Sequence, residues 1–152
     1  MTCAWWIGML DRKPADQMDV GDEFEPLEFT ITPELNQQYL FAVEDYHPRY
    51  LGGGDGGQSL VHPALLLNFS NTTRSPSYVV SPGLGTLHAG EETRFVRPAT
   101  VGDTLRVTWR VVDRYEKRGR VYHVREAVVV DGTGRTVLVR RLTSTYSSKQ
   151  SG

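Results

Sequence analysis

Asp45-Tyr46-His47-Pro48-Arg49-Tyr50 leads through a glycine loop, Gly52-Gly53-Gly54-Asp55-Gly56-Gly57, into His62-Pro63-Ala64-Leu65-Leu66-Leu67-Asn68-Phe69. The last piece is apolar nearly all round, the pattern of a helix with no solvent face. Such a helix needs other structure wrapped around it. The polar residues just before it are the chemical candidates, because they sit where the chain enters the buried element.

Working outward, Phe24, Leu27, Phe29 and Ile31 read as a strand. Pro26 interrupts it, which predicts an edge position or a bulge. Thr32-Pro33-Glu34 then supplies a hydroxyl N-cap, a proline at the first helical position and an acid in the first turn. Leu35, Tyr39, Ala42 and Val43 give that helix one apolar side, and Pro48 predicts its end near Asp45. The apolar helix is expected to start at His62 or Pro63 and to stop before Ser75-Pro76, with Asn71 to Arg74 as its last turn. Beyond it, Thr86 to Val96 reads as a strand. Leu105, Val107, Trp109 and Val111 alternate with Arg106, Thr108 and Arg110, which predicts a half-buried strand. Val121 to Val130 and Thr136 to Tyr146 are two more, joined through Asp131-Gly132-Thr133-Gly134 as a hairpin. The class is α+β: a curved antiparallel sheet of about five strands around a central helix. Residues 1–19 read as an arm and connector, 20–146 as the domain and 147–152 as a tail.

At 152 residues and a net charge of −1, the chain is one domain with no electrostatic pull toward nucleic acid or an anionic membrane. Cys3 is the lone cysteine, so no internal disulfide forms, and a reducing, cytoplasmic setting is expected. No spacing joins the four histidines into a metal site, and no cofactor motif is present. The opening Met1 to Leu10 is apolar but far too short to span a bilayer. Uncovered sheet edges predict pairing with a second subunit, as a homodimer or with another protein.

The arrangement resembles the MaoC-like branch of the hotdog fold, the acyl-thioester hydratases and dehydratases. The likeness runs from about Val20 to Tyr146. Leu87-His88-Ala89-Gly90-Glu91-Glu92, Phe95-Val96-Arg97-Pro98 and Val101-Gly102-Asp103-Thr104-Leu105 carry it most closely toward the N-terminal, fungal-fatty-acid-synthase-type dehydratase subfamily. Catalytic members have Asp-x-Asn-Pro-x-His before the buried helix. Here Asp45 and Pro48 match, but His47 stands for the asparagine and Tyr50 for the catalytic histidine. The resemblance implies an acyl thioester, on coenzyme A or a carrier protein, as ligand. It also implies a second hotdog subunit as partner; in that subfamily the half with this pattern often serves a catalytic half.

Hydration of an enoyl thioester needs a base for water, an acid for the α-carbon and donors for the enolate oxygen. Asp45, His47 and Tyr50 are the candidate catalytic residues, and His62 and Ala64 the candidate substrate-binding ones. Against them stands a plainer reading, in which Asp45 caps a turn, Tyr50 fills a wall and His62 caps the helix. A phenol, with a reference pKa of about 10, is a weak base at neutral pH. The family's helix-start N–H, usually from glycine, falls on Pro63, which has none, so Ala64 is the next donor. One lost donor of this kind costs about 3 kcal/mol in a barrier. The expectation is therefore weak or absent hydration by the chain alone. A thioesterase would need a carboxylate on or near the buried helix, and Leu65 to Arg74 has none. The glycine loop lacks the lysine and hydroxyl of a phosphate loop and reads as a flap.

Overall fold

Leu105, Val107, Trp109 and Val111 are all buried while Arg106, Thr108 and Arg110 face water. That alternation is realised in a computed structural model that describes residues 12–52 and 57–148. The expected N-terminal arm, the middle of the glycine loop and the end of the tail lie outside the described residues.

Five strands form one antiparallel sheet: β1 (Glu23–Thr30), β2 (Leu84–Phe95), β3 (Thr104–Lys117), β4 (Arg120–Val130) and β5 (Thr136–Ser148). Their order across the sheet is β1-β3-β4-β5-β2. Both alternatives read from Pro26 hold, since β1 is an edge strand and its register shifts between Phe24 and Leu27. Three helices follow β1: α1 (Pro33–Val43), α2 (Pro48–Leu51) and α3 (Pro63–Phe69). This is the hotdog arrangement the resemblance implies.

The helix α3 is shorter than expected. It stops at Phe69, and Thr72–Arg74 is a separate 3-10 turn. Its last carbonyls find partners in the sheet instead of in another helical turn. The indole N–H of Trp109 donates to the Ser70 carbonyl at 2.8 Å, and Arg140 Nη1 donates to the Leu67 carbonyl at 2.6 Å. Leu65 and Leu66 are buried against the concave face, and Leu67 is half-buried. Each fully buried leucine contributes about 1.5–3 kcal/mol of transfer free energy.

In α1 the buried positions are Asn36 and Leu40, whereas Ala42 and Val43, expected inside, are exposed. Glu44 closes α1 in the left-handed region at φ 55°. The short α2 had no counterpart in the sequence reading. Gly52 ends it at φ 78°, a backbone that favours glycine, and a Cβ there would also have to displace Ser59 Oγ, 2.9 Å away.

Toward the β3–β4 hairpin the concave face turns polar. His123 and Arg125 are buried there. The Arg125 guanidinium bonds the Tyr146 hydroxyl and lies over the rings of Phe24, Tyr78 and Tyr146 at 5.7, 5.8 and 5.7 Å. His123 Nε2–H donates to the Met18 carbonyl at 3.1 Å, holding down a 3-10 turn at Ala15–Gln17. The convex face carries a row of alternating charge across all five strands, Glu23, Arg110, Glu126, Arg141 and Glu92 in successive register.

Candidate functional site

The end of α1 and the start of α3 meet through Asp45 and His62. His62 is the N-cap of α3, and its Nδ1 accepts the Ala64 N–H at 3.2 Å. An accepting Nδ1 leaves the ring proton on Nε2, which lies 3.3 Å from Asp45 Oδ2. The other Asp45 oxygen, Oδ1, accepts the His47 N–H at 3.1 Å. Both carboxylate oxygens and both ring nitrogens therefore hold the chain in place. The His62 ring sits between Tyr39 and Tyr50, with centroids 5.3 and 5.0 Å away.

His47 is held apart from this pair. It is the N-cap of α2, and its Nδ1 accepts from the Arg49 backbone N–H at 3.2 Å and from Arg49 Nε at 3.1 Å. Its ring centroid lies 6.2 Å from that of Tyr50. Asn36, which sequence reasoning passed over, fastens α2 to α1 by donating from Nδ2 to the Tyr50 carbonyl at 3.2 Å. The signal for it was a polar residue one position after Leu35 and four before Leu40, on the inward side of α1.

Beside Tyr50 a cleft of about 430 Å³ opens between the start of α3 and the segment after β2. Leu60, Val61, Leu66, Phe95, Val96, Pro98 and Ala99 make most of its wall apolar. Its polar contributions come from Arg49, Tyr50 and Arg97, and Pro63 lines it where α3 begins. Asp45, His47 and His62 do not line it. The structure thus brings Asp45, His62 and Tyr50 into one cluster, leaves His47 at a helix cap and presents only Tyr50 of these to the cleft. The Ala64 N–H, the candidate donor for a thioester oxygen, is spent on His62. Among the described residues no group of three or more His, Cys, Asp or Glu side chains is placed to hold a metal ion. No helix among them is long and apolar enough to cross a membrane.

Solved structures share this architecture. A MaoC-like dehydratase from Rhodospirillum rubrum superposes with a TM-score of 0.70 at 15% identity, covering 92% of this chain and 99% of that one. The R-hydratase PhaJ1 from Pseudomonas aeruginosa gives 0.65 at 21% identity, with 91% of each chain covered. The HadBC (3R-hydroxyacyl-ACP dehydratase) complex from Mycobacterium tuberculosis gives 0.65 at 16% identity, covering 87% of this chain and 99% of that one. No curated protein matches the sequence. The family described as the FAS1-like, dehydratase domain region matches residues 18–140. With the MaoC-like hotdog architecture around its apolar helix, the chain belongs to that FAS1-like dehydratase-region family.

Proposed function

We propose that the cleft beside Tyr50 receives the acyl part of an acyl thioester, carried on coenzyme A or a carrier protein, and that the chain alone hydrates enoyl thioesters weakly or not at all. The observation that carries this is the division of labour around α3. The apolar cleft has Tyr50 and Pro63 on its wall, while Asp45 and His62 are tied to backbone and to each other. A base needs a free lone pair and an enolate needs a free donor. The His62 Nδ1 lone pair and the Ala64 N–H consume one another. What remains is an apolar container of useful size with polar groups at Arg49, Tyr50 and Arg97. Acyl-thioester chemistry, and with it a place in fatty-acid metabolism, is supported by the family and by the dehydratase and hydratase names of its structural neighbours.

Calorimetric titration with acyl-CoA of graded chain length tests the reading, with free coenzyme A as control. Affinity is expected to rise with chain length until the cleft is full, and Leu60→Trp, which fills it, is expected to remove that dependence. Equal affinity for free coenzyme A and every acyl-CoA would refute it.

A second reading follows from the same spent donor: a tunnel-forming subunit whose catalytic groups come from another hotdog chain. The HadBC complex is a precedent for such an assembly. Dehydratase activity that appears only on mixing with a chain bearing Asp-x-Asn-Pro-x-His would favour it.

A further inference from the structure

Near the β3–β4 hairpin the convex face carries two tyrosines. Tyr115 and Tyr122 are cross-strand partners, and their rings stack at 5.2 Å and 11°. Tyr115 is still 40% exposed. Beside the pair lies a depression of about 430 Å³, bounded also by Gly90 and Thr143 of β2 and β5 and by Lys117 and Arg118 of the hairpin. No carboxylate lines it, and its volume is that of a small-ligand site. Two residues there break local preferences. The hairpin turns on Arg118 and Gly119 at φ 53° and 72°, between the paired Lys117 and Arg120. A turn with both central residues left-handed favours asparagine or glycine first, so arginine at that position is strained. Lys117, Arg118 and Arg120 have no ion-pair partner among the described residues, so no contact within the fold accounts for the arginine. Gly90 has no left-handed φ, and a Cβ there would meet only Thr143 Cβ, at an ordinary 3.9 Å. Packing would accept a side chain at Gly90; a ligand lying against the strand would not.

We propose that this depression binds a purine nucleoside phosphate, with its base stacked on the Tyr115 ring and its phosphates held by Lys117 and Arg118. An aromatic face offers a planar base a stacking surface, and unpaired cations offer phosphate oxygens charge-assisted hydrogen bonds. An acidic peptide would use the cations but leave the tyrosine face idle. Free nucleotides carry this chemistry, and so does coenzyme A. Gly90 lies five residues before Phe95, about 17 Å along β2, and the depression opens on the face opposite to the cleft. The site is therefore one for a free nucleotide, separate from whatever fills the cleft. It stands whether or not the cleft takes a thioester.

Calorimetry on the full chain with ADP, adenosine and pyrophosphate tests the site. ADP is expected to saturate one site per chain, and adenosine or pyrophosphate alone to bind at least about tenfold more weakly. Tyr115→Leu should weaken ADP roughly tenfold, and Tyr115→Phe, which keeps the ring, should hold it within about threefold of the parent. Arg118→Asn should also weaken ADP about tenfold, while its thermal midpoint without ligand stays level or rises, because asparagine suits that turn. Leu60→Trp, on the other face, should leave ADP affinity unchanged. Pyrophosphate binding as tight as ADP, no saturation by ADP at millimolar concentration, or an Arg118→Asn midpoint that falls with ADP affinity intact overturns the proposal. So does chain-length-dependent acyl-CoA binding that is lost in Arg118→Asn, which would assign the cations to the nucleotide end of the cleft's own ligand.

Discussion

Arg140 grips Glu91 at two points, Nε to Oε1 at 2.7 Å and Nη2 to Oε2 at 2.9 Å, and with its remaining nitrogen holds the Leu67 carbonyl at the end of α3. One guanidinium thereby joins the β2 edge, the β5 strand and the central helix. The Arg140 side chain is only 7% exposed, whereas Glu91 keeps 29%. Removing the cation strands a partly shielded carboxylate and a helix-end carbonyl. Arg140→Leu is expected to cost about 2–4 kcal/mol in urea unfolding, toward the lower part of the range for breaking a buried pair because Glu91 is partly solvated.

The same bond sets a pH response. Arg140 holds the Glu91 carboxyl below its ordinary value of 4.5, against the opposing pull of burial. A carboxyl lowered on folding stabilises above its unfolded value and loses that contribution as pH falls through the folded one. The stability gap between the parent and Glu91→Gln should therefore be largest above about pH 4.5 and close on further acidification. A gap that stays constant down to pH 3 would contradict the assignment.

His123 gives a second window. Burial, reinforced by the charges of Arg125 and Arg114, pushes its pKa below the ordinary 6.5. The unfolded chain takes up a proton as pH falls through 6.5 while the folded chain resists, so stability declines over that interval. His123→Gln is expected to flatten the decline as pH falls below about 6.5, measured as thermal midpoints in matched buffers.

Leu66 is buried and also walls the cleft. Leu66→Ala should cost about 2–5 kcal/mol, as truncations in packed cores do. A loss under 1 kcal/mol would mean that α3 is not gripped by the sheet.

Hydration is the decisive functional measurement. The isolated chain is expected to turn over crotonyl-CoA and longer 2-enoyl-CoA substrates at or near background. Robust turnover that disappears in Asp45→Ala would restore Asp45 as a catalytic residue. Tyr50→His alone is expected to recover little, because it returns a base to the cleft but leaves the Ala64 N–H bonded to His62.

Much of the fold was legible because inward residues on β3 repeat with period two, and Leu105 to Val111 could form only a half-buried strand. The end of α3 was not. Asn71 to Arg74 suits a last helical turn, but Trp109 and Arg140 satisfy the terminal carbonyls from the sheet, so another turn gains nothing. In the site, the family motif drew attention to Asp45 and Tyr50, which the structure places in one cluster with His62. It gave no sign that Asp45 would meet His62, because that contact depends on how the end of α1 packs against the start of α3. The short α2 had a signal, Pro48 after a capping residue, but histidine is an uncommon cap and the pair read as a loop.

Two bulges in the strand registers fall on one row of the sheet, with β4 and β5 between them. β3 shifts between Val111 and Asp113 and β2 between His88 and Gly90, and Asp113 and Gly90 share one row through Val124 and Thr143. A bulge adds a residue to one strand and strengthens the local twist, so both irregularities act along one line of the sheet. On the Trp109 side of that row the sheet holds α3 and borders the cleft, and Arg125, paired with Val111 and Leu142, belongs to this side. On the hairpin side, His123 latches the Ala15–Gln17 turn through Met18. Cleft and latch thus fall on opposite sides of the bulged row, so the anchoring of the chain's entry is separate from the walls of the cleft.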